Sequence, residues 1–203
     1  MIPHFLNQVA AFHRAFQYRQ PEPVAPDLSD KPTNELRPRL LREELHELHD
    51  ATTRVDQLDA LCDSQYVLSG AVLAWGYRSL FENHRHTIEL RKIHDERGHL
   101  AAMLGLVDQM EMAAESNLQM QTLTCLIGLQ QHLSRAVYHY GFAECFKDAF
   151  DEVHRSNMTK LWDAPKPNGL IFVSSAGKFI ARRGDGKIVK PETYSPASLA
   201  RFV

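Results

Sequence analysis

The sequence predicts an all-α helical bundle that ends in a small β hairpin and a basic tail, and three observations predict it. Apolar residues recur at helical spacing from the start, at Phe5, Val9, Phe12 and Phe16. Two following segments, LLREELHELHD (40–50) and DQLDALCDSQYVLSGAVLAW (56–75), keep helical periods while placing acids among their leucines. After Pro165 and Pro167 the character changes to LIFVSSAGKFIARR (170–183), rich in strand formers around an S-A-G turn.

The elements follow in order. Residues 3–19 read as a first helix. The proline-rich stretch PEPVAPDLSDKP (21–32) cannot continue it and is expected as an ordered loop or strap. Thr33 or Asn34 is expected to cap the glutamate helix, with Pro38 in its first turn or kinking it, and that helix runs to about Thr52. The next starts after Arg54 or Val55 and is apolar on most sides, which places it at the centre of the bundle. Residues 82–135 are strongly helical, first charge-laced and then rich in Met and Leu. A last helix is expected from Phe142 to Leu161. A helical domain over 1–162 and a C-terminal extension over 163–203 result.

A weak internal echo crosses this plan. AVLAWGYRSLF (71–81) and AVYHYGFAECF (136–146) share the same alanine, valine, glycine and final phenylalanine. Gly76 and Gly141 suit left-handed helix caps. Similar cap chemistry or a true duplication explains the echo equally well.

Composition narrows the function. The chain has 203 residues, a formal charge of −2 and 44 % hydrophobic residues, enough for a real core and without the basic surface of a nucleic-acid binder. No apolar run is long enough to span a bilayer, and MIPHFLNQ lacks the charged start of a secretory signal. Three well-separated cysteines, Cys62, Cys125 and Cys145, suit free thiols in a reducing, cytoplasmic setting.

The chemistry lies in the acids. Set on a helix with Glu43 at zero, Glu47 falls near roughly 40°, Leu40 near 60°, Glu44 near 100° and Leu48 near 140°. Glu44 therefore sits between leucines, where an unpaired carboxylate is costly. The next helix repeats the pattern with Asp56, Asp59 and Asp63, and Tyr66 and Gly70 extend the Asp59–Asp63 stripe. Two antiparallel helices would bring these stripes face to face. Such hard oxygen ligands suit Mg²⁺ or Mn²⁺. The alternative is that the acids are solvated or bridged by Arg39, Arg42 and Arg54. HELH (46–49) is not a zinc-protease signature, because that needs a second histidine at position 50, which is Asp. No P-loop, G-x-S-x-G or G-x-G-x-x-G motif occurs.

FHRAF (12–16), RLLREE (39–44) with Glu47, DALCDSQYVLSG (59–70), EVHRSNMTKL (152–161) and DGKIVKPETY (185–194) occur in one order. This arrangement resembles the MazG-like superfamily of all-α nucleoside triphosphate pyrophosphohydrolases, which includes phosphoribosyl-ATP pyrophosphohydrolase. The resemblance covers 5–76 and 142–196. It implies a MazG-like bundle, into which about 82–135 is inserted as a helical segment that covers the site, extends an oligomer interface or is a plain appendage. The implied reaction is metal-dependent hydrolysis of a nucleoside triphosphate to the monophosphate and pyrophosphate. Glu43, Glu44, Glu47 and Asp63 are its expected Mg²⁺ or Mn²⁺ ligands, with Glu43 or Glu44 as general base. Asp59 is less regular, since the superfamily's E-x-x-D places an acid where Ala60 stands, so orienting a water is its other role.

For the substrate, Lys160, Lys187 and Lys190 are expected at the phosphates, with Arg39 beside them, and His13, Phe16 and Asn157 at the base. Phe16 and its neighbours are equally read as core. A homodimer or homotetramer is expected from the resemblance, with no nucleic-acid or membrane partner. The competing functions are phosphoribosyl-ATP hydrolysis and a non-enzymatic helical scaffold whose acids only make salt bridges.

Overall fold

In the computed structural model the described residues are 1–21, 25–84, 92–166, 169–184 and 188–203. Helix α1 spans Ile2–Ala15, α2 Lys31–Asp50, α3 Arg54–Ala74, α4 Arg78–Asn83, α5 Glu96–Glu115, α6 Gln119–His139 and α7 Phe146–Met158. Strands β1 (Ile171–Ser175) and β2 (Lys178–Arg182) form one antiparallel hairpin, and a 3₁₀ turn covers Ala200–Phe202. The fold is all-α apart from that hairpin. Among the described residues no helix is long and apolar enough to cross a membrane.

Helices α2, α3, α6 and α5 pack in a ring, each against its two neighbours, while α1 and α7 lie across α3. Helix α3 holds the centre because it is apolar on most sides. Leu58, Leu61, Leu68 and Val72 are all fully buried. The segment expected as an insertion is built into this core from residue 92 onward. Met103, Val107 and Met110 of α5 and Leu126, Leu129 and Leu133 of α6 are buried in the same cluster as Leu41 and Leu61.

The internal echo becomes a structural repeat. Asp30 caps α2 by accepting from Thr33 N, and Asp95, 65 positions on, caps α5 by accepting from Gly98 N. Helices α3 and α6 both close on a glycine of positive φ, Gly76 at 75° and Gly141 at 78°. The same pair of bonds seals each end: Gly76 N to Leu73 O and Tyr77 N to Val72 O, against Gly141 N to Tyr138 O and Phe142 N to Val137 O. One chain thus supplies two like helix pairs around a common core.

Several expected boundaries move. The cap of α2 is Asp30, not Thr33 or Asn34, because the helix starts at Lys31 with Pro32 in its first turn, where a missing N–H costs nothing. Pro38 lies well inside that helix. Helix α1 ends at Ala15 rather than near 19, α2 ends at Asp50, and α7 is shorter than expected at both ends.

The hairpin turns at Ala176 and Gly177, both at positive φ, which Gly177 takes freely and Ala176 only at some cost. It is tied to the end of α1 by Gln17 Nε2 to Ser174 O (2.7 Å) and Ser175 Oγ to Ala15 O (2.6 Å). Val189 N then donates to Ala181 O, which leads the tail back across α7.

Candidate active site

Helices α2 and α3 are antiparallel, joined by a tight turn at 51–53. Thr53 caps α3 and Asp56 completes the capping box, accepting from Thr53 N and Oγ1. Asp56 is thereby committed to the turn. The acids one and two turns further on are not.

Glu44 is half-buried, and its Oε2 is sealed from solvent with no hydrogen-bond donor. Burial, then the charges of Asp63, Glu47, Glu43 and Asp59, push its pKa up to about 8. Asp63 is pushed up to about 7, by burial first and Asp59 second, against the pull of Lys160 and Lys190. Asp59, at the mouth of the cleft, is raised as well, by partial burial and then Glu47. Glu43 and Glu47 are exposed, and Glu43 lies 3.9 Å from Arg39. Among the described residues no three acids, histidines or cysteines are drawn together tightly enough to cage an ion unaided.

The arginines that could have neutralised this nest are engaged elsewhere. Arg42 turns outward to Asp108 and Glu111 of α5. Arg54 donates to Tyr140 O at 3.1 Å and lies over the Phe142 ring. Among the described residues Arg39 is the arginine of the three that approaches an acid of the nest, Glu43, and both partners of that pair are mostly exposed, so it contributes little. A crowded carboxylate with an orphaned, buried oxygen fits a divalent cation.

Two lysines face the acids from distant parts of the chain. A cleft of about 230 Å³ is lined by Asp59, Asp63, Asn157, Lys160, Lys190 and Tyr194. Lys160, just past the end of α7, donates to Asn157 Oδ1 at 2.6 Å, and burial holds its pKa down. Lys190 arrives on the tail with its Nζ 4.3 Å from the centre of the Tyr194 ring. Glu152 fastens that tail. It accepts from Arg155, from Ser198 N at 2.9 Å and from Arg201 at 3.3 Å.

The expected site residues therefore separate into groups. Glu44, Asp59, Asp63, Asn157, Lys160 and Lys190 converge. Glu43, Glu47 and Arg39 lie on the exposed side of α2. His13 and Phe16 lie under α1, both at most 2 % exposed, and Phe16 stacks on Phe12 at 4.2 Å. Lys187 lies outside the described residues.

Three residues to which the sequence assigned no role stand beside these groups. Tyr66 is one turn beyond Asp63, and its hydroxyl lies 3.0 Å from His154 Nδ1. Arg37 is one helical face with Leu41 and Glu44, so a wheel extended one turn before Leu40 would have found it. Tyr194 stood in the quoted tail motif without a role.

The repeat carries no second acidic site. Counted 65 positions on, only Glu43 keeps an acid, as Asp108, which pairs with Arg42, whereas Glu44 becomes Gln109, Glu47 becomes Met112, Asp59 becomes Thr124 and Asp63 becomes Gly128.

Crowded carboxylates on two antiparallel helices, opposed by lysines, suit an activity of the nucleotide pyrophosphohydrolase type, which a family match supports. Residues 9–78 match the family model for phosphoribosyl-ATP pyrophosphohydrolase, about a third of the chain, taking in α2, α3 and half of α1. The match is consistent with the MazG-like resemblance and contains all five acids. No curated protein and no solved structure gives a match.

Proposed function

We propose that the protein hydrolyses a (deoxy)nucleoside triphosphate to the monophosphate and pyrophosphate, with Mg²⁺ or Mn²⁺ held by Glu44 and Asp63 and by Glu43, Glu47 and Asp59 around them. The observation that carries the reading is Glu44: a buried carboxylate oxygen without a donor, crowded by four other acids. A bound divalent ion would neutralise phosphate oxygens and acidify a water for in-line attack.

The chain's own residues supply the rest. Lys160 and Lys190 offer ammonium groups to the phosphate charge at the cleft, where partial exclusion of water strengthens them. Asn157 orients Lys160. Glu44 Oε2 is an open acceptor for a proton from water, with Glu43 as the other candidate base. Free thiols and the absence of any membrane-length helix among the described residues suit work on a cytoplasmic nucleotide pool.

Incubating the purified chain with the eight common nucleotides and Mg²⁺ or Mn²⁺, then separating the products, tests this. Monophosphate and pyrophosphate are expected. Diphosphate with orthophosphate, or no turnover with either metal, overturns it.

The family match favours a second substrate, phosphoribosyl-ATP, which undergoes the same bond cleavage. Rescue of a histidine auxotroph by this chain would select that reading over the first.

A further inference from the structure

Arg37 is 6 % exposed, yet among the described residues no carboxylate pairs with it. Its Nε is buried with no acceptor. Its contacts are a long one to His13 Nε2 (3.4 Å) and the Tyr18 ring, 5.6 Å from its guanidinium carbon. His13 is no counter-charge, since burial and Arg37 itself hold its pKa down to about 3. A cation sunk without an anion is costly, and its buried, empty donor points to a missing acceptor.

Its position says which one. Arg37 lies seven residues before Glu44 on α2, and Gly70 lies seven residues after Asp63 on α3. Because the helices are antiparallel, both steps run the same way, about 10 Å along the α2–α3 seam from the acids. Tyr66 lies between. Gly70 makes the room: a Cβ there would come 2.7 Å from Arg37 Nη1.

We propose that Arg37 determines specificity by binding oxygen acceptors on the end of the nucleotide remote from the phosphates that are cut. This deepens the nucleotide reading above and rests on it. The oxygens come from a base carbonyl or from a second phosphate on the substrate's far side, and guanidinium serves either through paired N–H donors.

Binding without metal tests it. The thermal midpoint of the full chain is followed in EDTA with guanosine, cytidine, uridine, adenosine or ribose 5-phosphate. A rise with the carbonyl-bearing nucleosides, or with ribose 5-phosphate, is expected, and which of them acts identifies the source of the oxygens. Arg37→Met weakens that binding roughly 10- to 100-fold, whereas Glu44→Gln keeps it. If Arg37→Met does not fold, Gly70→Ala takes its place, since its methyl pushes the guanidinium aside and the same weakening is expected. No response to any of these ligands, an equal response to adenosine, or binding unchanged in the variant overturns the proposal. The assay needs neither metal nor turnover, so a failed product assay and a failed Arg37 assay remain distinct results.

Discussion

Gln65 and Gln130 exchange amide hydrogen bonds across the centre of the bundle, each Nε2 donating to the other's Oε1, at 2.9 and 2.8 Å. Each also donates to the serine one turn on, Ser69 and Ser134, both at 3.3 Å. The two residues are the same position in the two halves of the repeat, 65 residues apart. Both are buried, and each amide satisfies the other. Replacing Gln65 alone by leucine strands the Gln130 amide and is expected to cost about 1–3 kcal/mol. The double replacement, leucine at both, should recover most of that loss. Urea unfolding of the four proteins in the cycle measures it, and additive losses would contradict the reciprocal pairing.

Gly76 and Gly141 test the repeat from its ends. Both take positive φ, so alanine at either should cost on the order of 1 kcal/mol. The halves then differ. At Gly76 a Cβ would meet the Ala25 carbonyl oxygen at 2.3 Å, whereas at Gly141 it would meet nothing within 4 Å. Gly76→Ala is therefore expected to be the more destabilising by at least about 1 kcal/mol. Equal midpoints in urea would contradict the close approach of the strap to α3.

Much of this fold could be read from the chain because its rules are local. The acidic stripes of α2 and α3 follow from helical period alone, and the hairpin follows from strand formers flanking a turn in which Gly177 accepts positive φ. What could not be read depends on partners distant in sequence. The second helix pair keeps Leu41, Leu58, Leu61 and Leu68 as Leu106, Leu123, Leu126 and Leu133, with the caps and the glutamine, but of the five acids only Glu43, as Asp108, so only the short echo at 71–81 and 136–146 betrayed it. Arg37 defied the expectation that a charged residue faces water. The approach of Lys190 to Asp63 rests on a hairpin and a latch at Glu152, neither of which carries a pattern that points to the cleft.

Glu152 makes a pH prediction. Its hydrogen bonds to Arg155, then the Ser198 N–H and the charges of Arg155 and Arg201, lower its pKa from 4.5 to about 2. The folded state thus binds this proton less readily than the unfolded one. Its stabilisation is complete above about pH 4.5 and lost as pH falls towards 2. Glu152→Ala should remove that acid sensitivity and cost on the order of 1–2 kcal/mol, discounted because Arg155 and Arg201 are partly exposed. Hydrogen exchange over 195–203 reads the latch directly. Protection there that is the same in Glu152→Ala and wild type at pH 7 would rule it out.

Glu44→Gln separates a metal nest from a scaffold of salt bridges. Replacing one of five crowded acids by a neutral amide should raise the thermal midpoint in EDTA, because it removes the cost of holding the Glu44 carboxyl protonated and no cationic partner is lost with it. The same change should erase the stabilisation given by Mn²⁺ and cut turnover roughly 100-fold or more. Scanning fluorimetry with and without Mn²⁺ checks both halves of the claim. A lower midpoint in EDTA would mean that Glu44 has a partner the geometry denies it.

Lys160 and Lys190 rank the two cations of the cleft. Lys160 is half-buried and held by Asn157 Oδ1 at 2.6 Å, while Lys190 is exposed on the tail against Tyr194. An oriented, partly dehydrated ammonium contributes more than a solvated one. Lys160→Met should therefore lower kcat/KM about 100-fold, and Lys190→Met about tenfold. The Lys190 effect should shrink as salt rises from about 0.05 to 0.5 M, since exposed charges are screened over that range, whereas the Lys160 effect should persist. Steady-state rates at both salt concentrations decide it. A Lys160→Met enzyme as efficient as wild type would remove Lys160 from the phosphate site.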